Sequence, residues 1–202
     1  MRTDTLSKTN FSKTSRMVGL AIMIAIVISL QMVASYVKFG PFSITLALVP
    51  IIIGSAMYGA GAGAVLGAAF GVVTLIMCIN GIDPGGYILW AANPPLTAVL
   101  CLIKGGLAGY ATGFIYEKIK AKNSYIRVLI AAIACPVVNT GVFLLALVFL
   151  YRDTLVSWAG DTNMLYYIIT AIILMNFVPE FILNVALSPT VARIINISKK
   201  YI

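Results

Sequence analysis

Long apolar runs alternate with short polar segments along the whole chain. A helix that crosses a bilayer needs roughly 20 apolar residues. On that measure the pattern predicts helices over 17–36, 46–58, 60–79, 96–117, 126–150 and 165–195. The stretch 46–79 carries no charged residue. It must cross, turn and cross back, with 46–58 as the short or tilted leg and the turn near Gly54–Gly61. Pro50 is expected to bend that leg, since a proline frees a carbonyl inside a helix. Three further prolines fall inside predicted helices, Pro136 in the fifth and Pro179 and Pro189 in the sixth.

The connecting segments differ in charge. One side receives Arg2, Lys8, Lys13 and Arg16 before the first helix, then Lys118, Lys120, Lys122 and Arg127, then Arg193, Lys199 and Lys200. The other side receives only Lys38 and Arg152. Short cytoplasmic loops carry the excess of Lys and Arg, so both termini are expected in the cytoplasm. The outer loops are 37–45, where Gly40-Pro41 marks a turn in an extended segment, then 80–95 and 151–164. Gly and Pro in 80–95 argue against any regular element there. The first apolar run is a full span without a clear cleavage site, so it reads as a retained helix. The expected organisation is a basic cytoplasmic segment at 1–16, a single six-helix membrane domain at 17–197 and a basic tail at 198–202.

Composition narrows the class. The chain is 61% hydrophobic and 10% charged, with mean hydropathy +1.02, where a soluble domain has about a quarter of its residues charged. This is an all-α integral membrane protein. Its net charge of +8 belongs to orientation and to contact with anionic membrane lipid, not to nucleic acid. Cys78, Cys101 and Cys135 lie in apolar runs at spacings that fit no metal or disulfide pattern. There is no histidine, which excludes histidine catalysis and histidine metal ligation. No nucleophile–base pair, phosphate loop or metal cluster is visible, so no enzyme and no cofactor bound by this chain is expected.

Two features then demand an explanation. One is small residues at four-residue spacing, which let helices in lipid approach to backbone contact. Ala21 and Ala25 form such a row in the first helix. Ala60, Ala64 and Ala68 form one in the third, with Gly63, Gly67 and Gly71 beside it, and Gly105, Gly109 and Gly113 form one in the fourth. Either row of the third helix could be kept for a partner. The other feature is polarity inside apolar spans: Lys104, Asn139, Thr140, Asn176, Glu180 and Asn184. A charge at mid-bilayer is costly and must face a partner or a watery cavity. Lys104 can pair with Glu180 or offer a cation to an anionic ligand. Asn139 can bond between helices or touch a ligand. Asn176, Glu180 and Asn184 share one helical face. Asn80, Trp90 and Asn93 in the outer loop stand above this set, and a small polar molecule taken from outside would suit it. A chain of this size, with no inverted repeat and no proton relay, has no evident means of driving transport by itself.

Several segments resemble the substrate-binding S components of energy-coupling-factor (ECF) vitamin transporters. They are ALVPIIIGSAMYGAGAGAVLGAAFG, KGGLAGYATGFIYEKI, PVVNTGVF and NFVPEFILNVALSP, within a resemblance over about 15–197. The resemblance implies a six-helix protein that binds a vitamin from outside. It also implies docking onto a membrane coupling (T) subunit driven by two cytoplasmic ATPase subunits, which hydrolyse the ATP. The family's alanine motif lands on Ala21 and Ala25 and on Ala60, Ala64 and Ala68, with Gly63 and Gly67 in the adjacent row. Lys38 to Thr45 would form a lid. The NTGVF context is most similar to members assigned to pantothenate, whose carboxylate Lys104 could hold. Folate, riboflavin, hydroxymethylpyrimidine and cobalamin remain as alternatives. So do a six-helix cell-shape scaffold, which would need no polar cavity, and a solitary carrier.

Overall fold

A computed structural model describes the backbone of residues 4–36, 38–39, 42–43, 45–121 and 123–198, with side chains over 14–36, 45–121 and 123–198. Helix α1 spans Asp4–Ala34. Strands β1 (Lys38–Phe39) and β2 (Phe42–Ser43) pair antiparallel, Lys38 opposite Ser43 and Phe39 opposite Phe42. Then follow α2 (Leu48–Tyr58), α3 (Ala60–Ile79), α4 (Pro84–Ala92), α5 (Pro94–Lys118), α6 (Ser124–Phe149) and α7 (Arg152–Ala159). The last helix, α8, runs over Met164–Ser198, and its stretch Ile168–Phe177 is π-helical. The predicted Gly40-Pro41 turn and the tail beyond 198 lie outside the described residues.

Five of these helices are long and apolar enough to cross a membrane: α3, α5, α6, α8 and α1 from Thr14. The sixth expected crossing is α2, and it is too short. Eleven residues rise about 16 Å at 1.5 Å each, against a hydrocarbon core of about 30 Å. Its short length is tolerated because it is not a lipid-facing helix. Leu48, Ile51 and Ile52 are essentially inaccessible, and α2 touches α1, α3, α5, α6 and α8. Irregular backbone at either end of such a helix is shielded by protein. Pro50 does not bend α2, because it sits in the first turn, where a helical N–H has no partner to lose.

The segment 80–95, expected to hold no regular element, contains α4, and the expected loop 151–164 contains α7. Asp83-Pro84 starts α4 in the way proline at the first helical position commonly does. In α7, Leu155 and Ala159 face inward. The basic segment before residue 17 is helical from Asp4, so α1 begins well before its apolar run.

The centre of the bundle is the antiparallel pair α3 and α5. A Cβ placed on Gly63 or Gly67 would collide with the carbonyl oxygen of Gly109 or Gly105, and one on Gly105 or Gly109 would collide with Gly67 or Gly63 in return. Gly71 meets Cys101 and Gly113 meets Ala60 in the same way. Each step of four along α3 is matched by a step of four back along α5, so the backbones touch over three turns. Glu117 Oε1 accepts from the Ala60 N–H at 3.2 Å, closing the same interface at the basic end. The turn that precedes α3 is made by Gly59 at φ +91°, a conformation that suits glycine alone. Gly63 and Gly67 are therefore buried inside the bundle. As an outward docking row they are excluded by the close approach of α5.

Two apolar clusters flank this pair. One surrounds α2 with Val27, Leu66, Phe70, Ala108, Ala131, Cys135 and Ile195. The other lies under α4 and α7 with Leu89, Leu100, Phe143, Leu147, Leu155 and Ile172. Large apolar side chains such as Val65, Ile103, Leu107, Leu145 and Leu174 face outward, as lipid requires.

Gly67→Leu and Gly105→Leu are expected to split the α3–α5 pair and lower stability by more than the roughly 1–3 kcal/mol of ordinary overpacking. Gly61→Ala should be tolerated, since nothing stands within 4 Å of its Cβ position. Melting temperatures of the detergent-solubilised variants check both.

Candidate functional site

Between the two apolar clusters, in the half of the bundle near α4, lies a cavity of about 50 Å³. It is walled by Phe70 from one cluster and Leu89, Leu100 and Phe143 from the other. Several elements contribute polar groups or thiols to it: Gln31 from α1, Thr74 and Cys78 from α3, Asp83 at the start of α4, Thr97, Cys101 and Lys104 from α5, and Asn176 from α8. The cavity opens where the α3–α5 glycine contact ends. Beyond Gly71 and Cys101 the residues of α3 and α5 that line the cavity carry side chains, Thr74 and Cys78 on one helix and Thr97 and Leu100 on the other.

Lys104 is half-buried. Its ammonium rests 5.0 Å above the Phe143 ring, a cation–π placement that partly replaces lost hydration. It makes no direct bond to Glu180 and acts on it through space. Of the two roles open to Lys104, no ion pair with Glu180 is formed among the described residues, and the cation lines the cavity. Asn176 reaches the same cavity, and its buried Oδ1 has no hydrogen-bond partner. Gln31 Oε1 is in the same position.

Glu180 belongs to a second polar group. Its carboxyl lies within bonding reach of Thr45 and Asn139, and the side-chain amide of Asn184 donates to its backbone carbonyl at 2.8 Å. Thr45, Asn139, Glu180 and Asn184 are all buried. Oxygens of Glu180, Asn139 and Asn184 have no partner. This knot joins the end of the hairpin segment to α6 and α8 and does not line the cavity. The inward face expected of Asn176, Glu180 and Asn184 is real, but its members serve two different groups. Thr140 lies apart, beside Ile173 and Phe177 in a shallow apolar depression between α6 and α8.

The outer-loop candidates have local duties. Asn80 is exposed and donates to the Ile76 carbonyl at 2.7 Å, finishing α3. Asn93 is the N-cap of α5 and accepts from the Leu96 N–H at 3.2 Å, just ahead of two prolines in the first turn. Its carbonyl also receives the Tyr151 hydroxyl at 3.2 Å, and that hydroxyl lies 2.6 Å from Thr97 Oγ1. Burial holds the Tyr151 phenol above its ordinary pKa. Trp90 sits half-buried on α4, outside the cavity lining. None of the three reaches the site.

Sequence reasoning passed over Gln31, Thr74, Asp83 and Thr97. For Gln31 the signal was present: it is the lone amide in the apolar run of α1, where an unexplained polar group calls for a partner.

The alanine rows lie on the outside. Ala21 and Ala25 are exposed, and Ala60, Ala64 and Ala68 are partly so. They stand at the two edges of the α1–α3 pair. Further along the same pair, Ile28, Met32, Ala69, Val72 and Ile76 line an apolar groove of about 470 Å³.

Residues 15–192 match the family described as the substrate-specific component of ECF transporters. The chain is also 29% identical over 191 residues to a protein named pantothenic acid transporter PanT, from Lactococcus lactis subsp. cremoris (strain MG1363). That match covers 89% of this chain and 93% of the relative.

Glu180→Gln is expected to keep or raise thermal stability, because the new amide can donate to the orphaned Asn139 Oδ1. Glu180→Ala should lower stability by about 2–4 kcal/mol, through a cavity and stranded partners. Thermal unfolding in detergent distinguishes the two.

Proposed function

The chain belongs to the family of substrate-specific components of ECF transporters, and on that footing we propose that it captures pantothenate outside the cell and passes it inward by docking on a membrane coupling subunit driven by two ATPases. Members of the family are multi-pass plasma-membrane proteins that act in vitamin uptake as part of a transporter complex. The observation that carries the choice of ligand is Lys104, a cation held over Phe143 at the wall of a polar cavity. Pantothenate is an aliphatic acid with one carboxylate, one amide and two hydroxyls, and it has no ring system that would call for stacking aromatics. The name of the relative points the same way.

The orientation follows from charge. Arg16, Glu117, Lys118 and Arg127 gather at one end of the bundle, where Arg127 stacks 4.4 Å over Tyr116 and donates to its carbonyl at 3.0 Å. We place that end and both termini in the cytoplasm, with α2 as a sixth, protein-enclosed membrane helix. The cavity then lies in the outer half. At about 50 Å³ it has room for a few waters only, so the liganded state is wider. The segment Lys38–Thr45 is the natural cover: β2 lies against α4, whose first turn lines the cavity.

The docking face we assign is the alanine surface, Ala21 and Ala25 with Ala60, Ala64 and Ala68. The neighbouring glycine row is used up inside, which leaves these small side chains as the outward ones. Small residues there admit a partner helix closely.

Lys104→Met is expected to weaken pantothenate binding by about 2–3 kcal/mol, the size of a lost charged hydrogen bond. Calorimetry on the purified protein measures it, and an unchanged dissociation constant removes Lys104 from the site. Ala64→Trp should leave binding intact and abolish uptake in cells carrying the coupling subunits. Lost binding with intact complex formation would reverse that assignment.

A further inference from the structure

We propose that Gln31, together with Asn176, accepts hydrogen bonds from hydroxyl groups of the ligand, and so restricts the site to hydroxylated acids. The inference rests on the reading of the cavity as the substrate site and adds a residue, and a selection rule, to it.

Gln31 is 3% exposed and lies on α1, in the wall of the same cavity as Lys104 and Asn176. The side-chain oxygens of Gln31 and Asn176 are buried and have no hydrogen-bond partner. A buried amide oxygen without a donor is a net cost to the fold, and native proteins keep few of them. Nothing in the packing of α1 requires an amide at this position. Val27 and Ala34, one turn to either side, are fully buried, Val27 within an apolar cluster, and a leucine has a length similar to that of the glutamine. Two such oxygens on residues that line one cavity, with a cation in the same lining, describe a ligand by complement. One end is an anion, and the body presents at least two donors. An acid lacking those donors would displace the cavity's water and leave both oxygens unsatisfied. A site built this way rejects an analogue that lacks the matching donor far more strongly than a hydrophobic pocket rejects a missing methylene.

The experiment compares wild type, Gln31→Leu and Lys104→Met as full-length protein in detergent. Binding of pantothenate and of its analogue without the two hydroxyls is measured by calorimetry, and melting temperature is measured without ligand. Gln31→Leu should weaken pantothenate about ten- to a hundredfold, change the dideoxy analogue little, and keep or raise the melting temperature, because it removes an orphaned acceptor. Lys104→Met should weaken both ligands alike. The proposal is overturned if Gln31→Leu binds pantothenate as wild type does, or if it loses both ligands equally while melting lower, the mark of a packing residue. Failure of wild type to bind pantothenate sinks the choice of vitamin alone. The same comparison, made with the acid that co-purifies and its hydroxyl-free analogue, then decides the role of Gln31 by the same two criteria.

Discussion

The contact of two backbones, Gly63 and Gly67 of α3 against Gly109 and Gly105 of α5, determines where this protein can have a cavity. In lipid, helices are not driven together by the hydrophobic effect, so close van der Waals approach must do the work. Glycine lets α3 and α5 approach until carbonyl oxygens occupy the places where Cβ atoms would be. Over those turns there is no space between the helices for anything else. The contact ends at Gly71 and Cys101. Beyond them Thr74 and Cys78 face Thr97 and Leu100, and the space they hold open is the polar cavity. The same contact shields one edge of α2, which is why eleven residues with irregular flanks can survive at membrane depth.

The polar groups inside the bundle divide by what they hold. The Glu180 knot is anchored on three segments, through Thr45 near the hairpin, Asn139 on α6 and Asn184 on α8. A knot of this kind fixes Thr45, just before α2, to the last helix. The cavity groups are held less. Lys104 leans on a ring, and the side-chain oxygens of Gln31 and Asn176 are buried without a hydrogen-bond partner. Both groups keep unpartnered buried oxygens, on Glu180, Asn139 and Asn184 in the knot and on Gln31 and Asn176 at the cavity, so it is the place of the second pair in the cavity lining that sets it apart. Lys104 acts on Glu180 through space, so the two groups are electrostatically linked without sharing a bond.

Much of this was legible in the residue pattern, and the parts that were not share a cause. The boundaries of α3 and the inward face of α8 follow from periodicity. The glycine and alanine rows of α3 lie about 60° apart on one helix at 3.6 residues per turn. Nothing within α3 tells which row turns inward. The answer is in α5, whose row at Gly105, Gly109 and Gly113 complements the glycines, but recognising it requires knowing that α3 and α5 are neighbours. Asn93 illustrates a different ambiguity. An asparagine followed by Pro94 and Pro95 is a helix-start signature, yet in a loop rich in polar residues it reads equally well as a ligand contact. Asp83-Pro84 is the same signature, hidden by the glycines after it. The short length of α2 was legible, but not what encloses it, because burial by protein and burial by lipid call for the same apolar residues.

Helix α1 unites the two ends of the proposed mechanism. It carries Gln31 in the cavity wall and Ala25 and Ala21 on its exposed face, about 9 and 15 Å away along a rigid helix. α3 repeats the arrangement, with Thr74 and Cys78 at the cavity and Ala68, Ala64 and Ala60 toward the basic end. The elements that meet the solute are therefore the elements that present the small-residue surface. α1 packs chiefly on α2 and α3 and leaves Met17, Val18, Ile22 and Met32 exposed, so it and the π-helical stretch that carries Asn176 are the thinly held walls of the cavity. A cavity of about 50 Å³ has to widen around a vitamin. On the proposed function, any shift of the stiff helix α1 that widens the cavity would also move Ala21 and Ala25 relative to the α3 alanines.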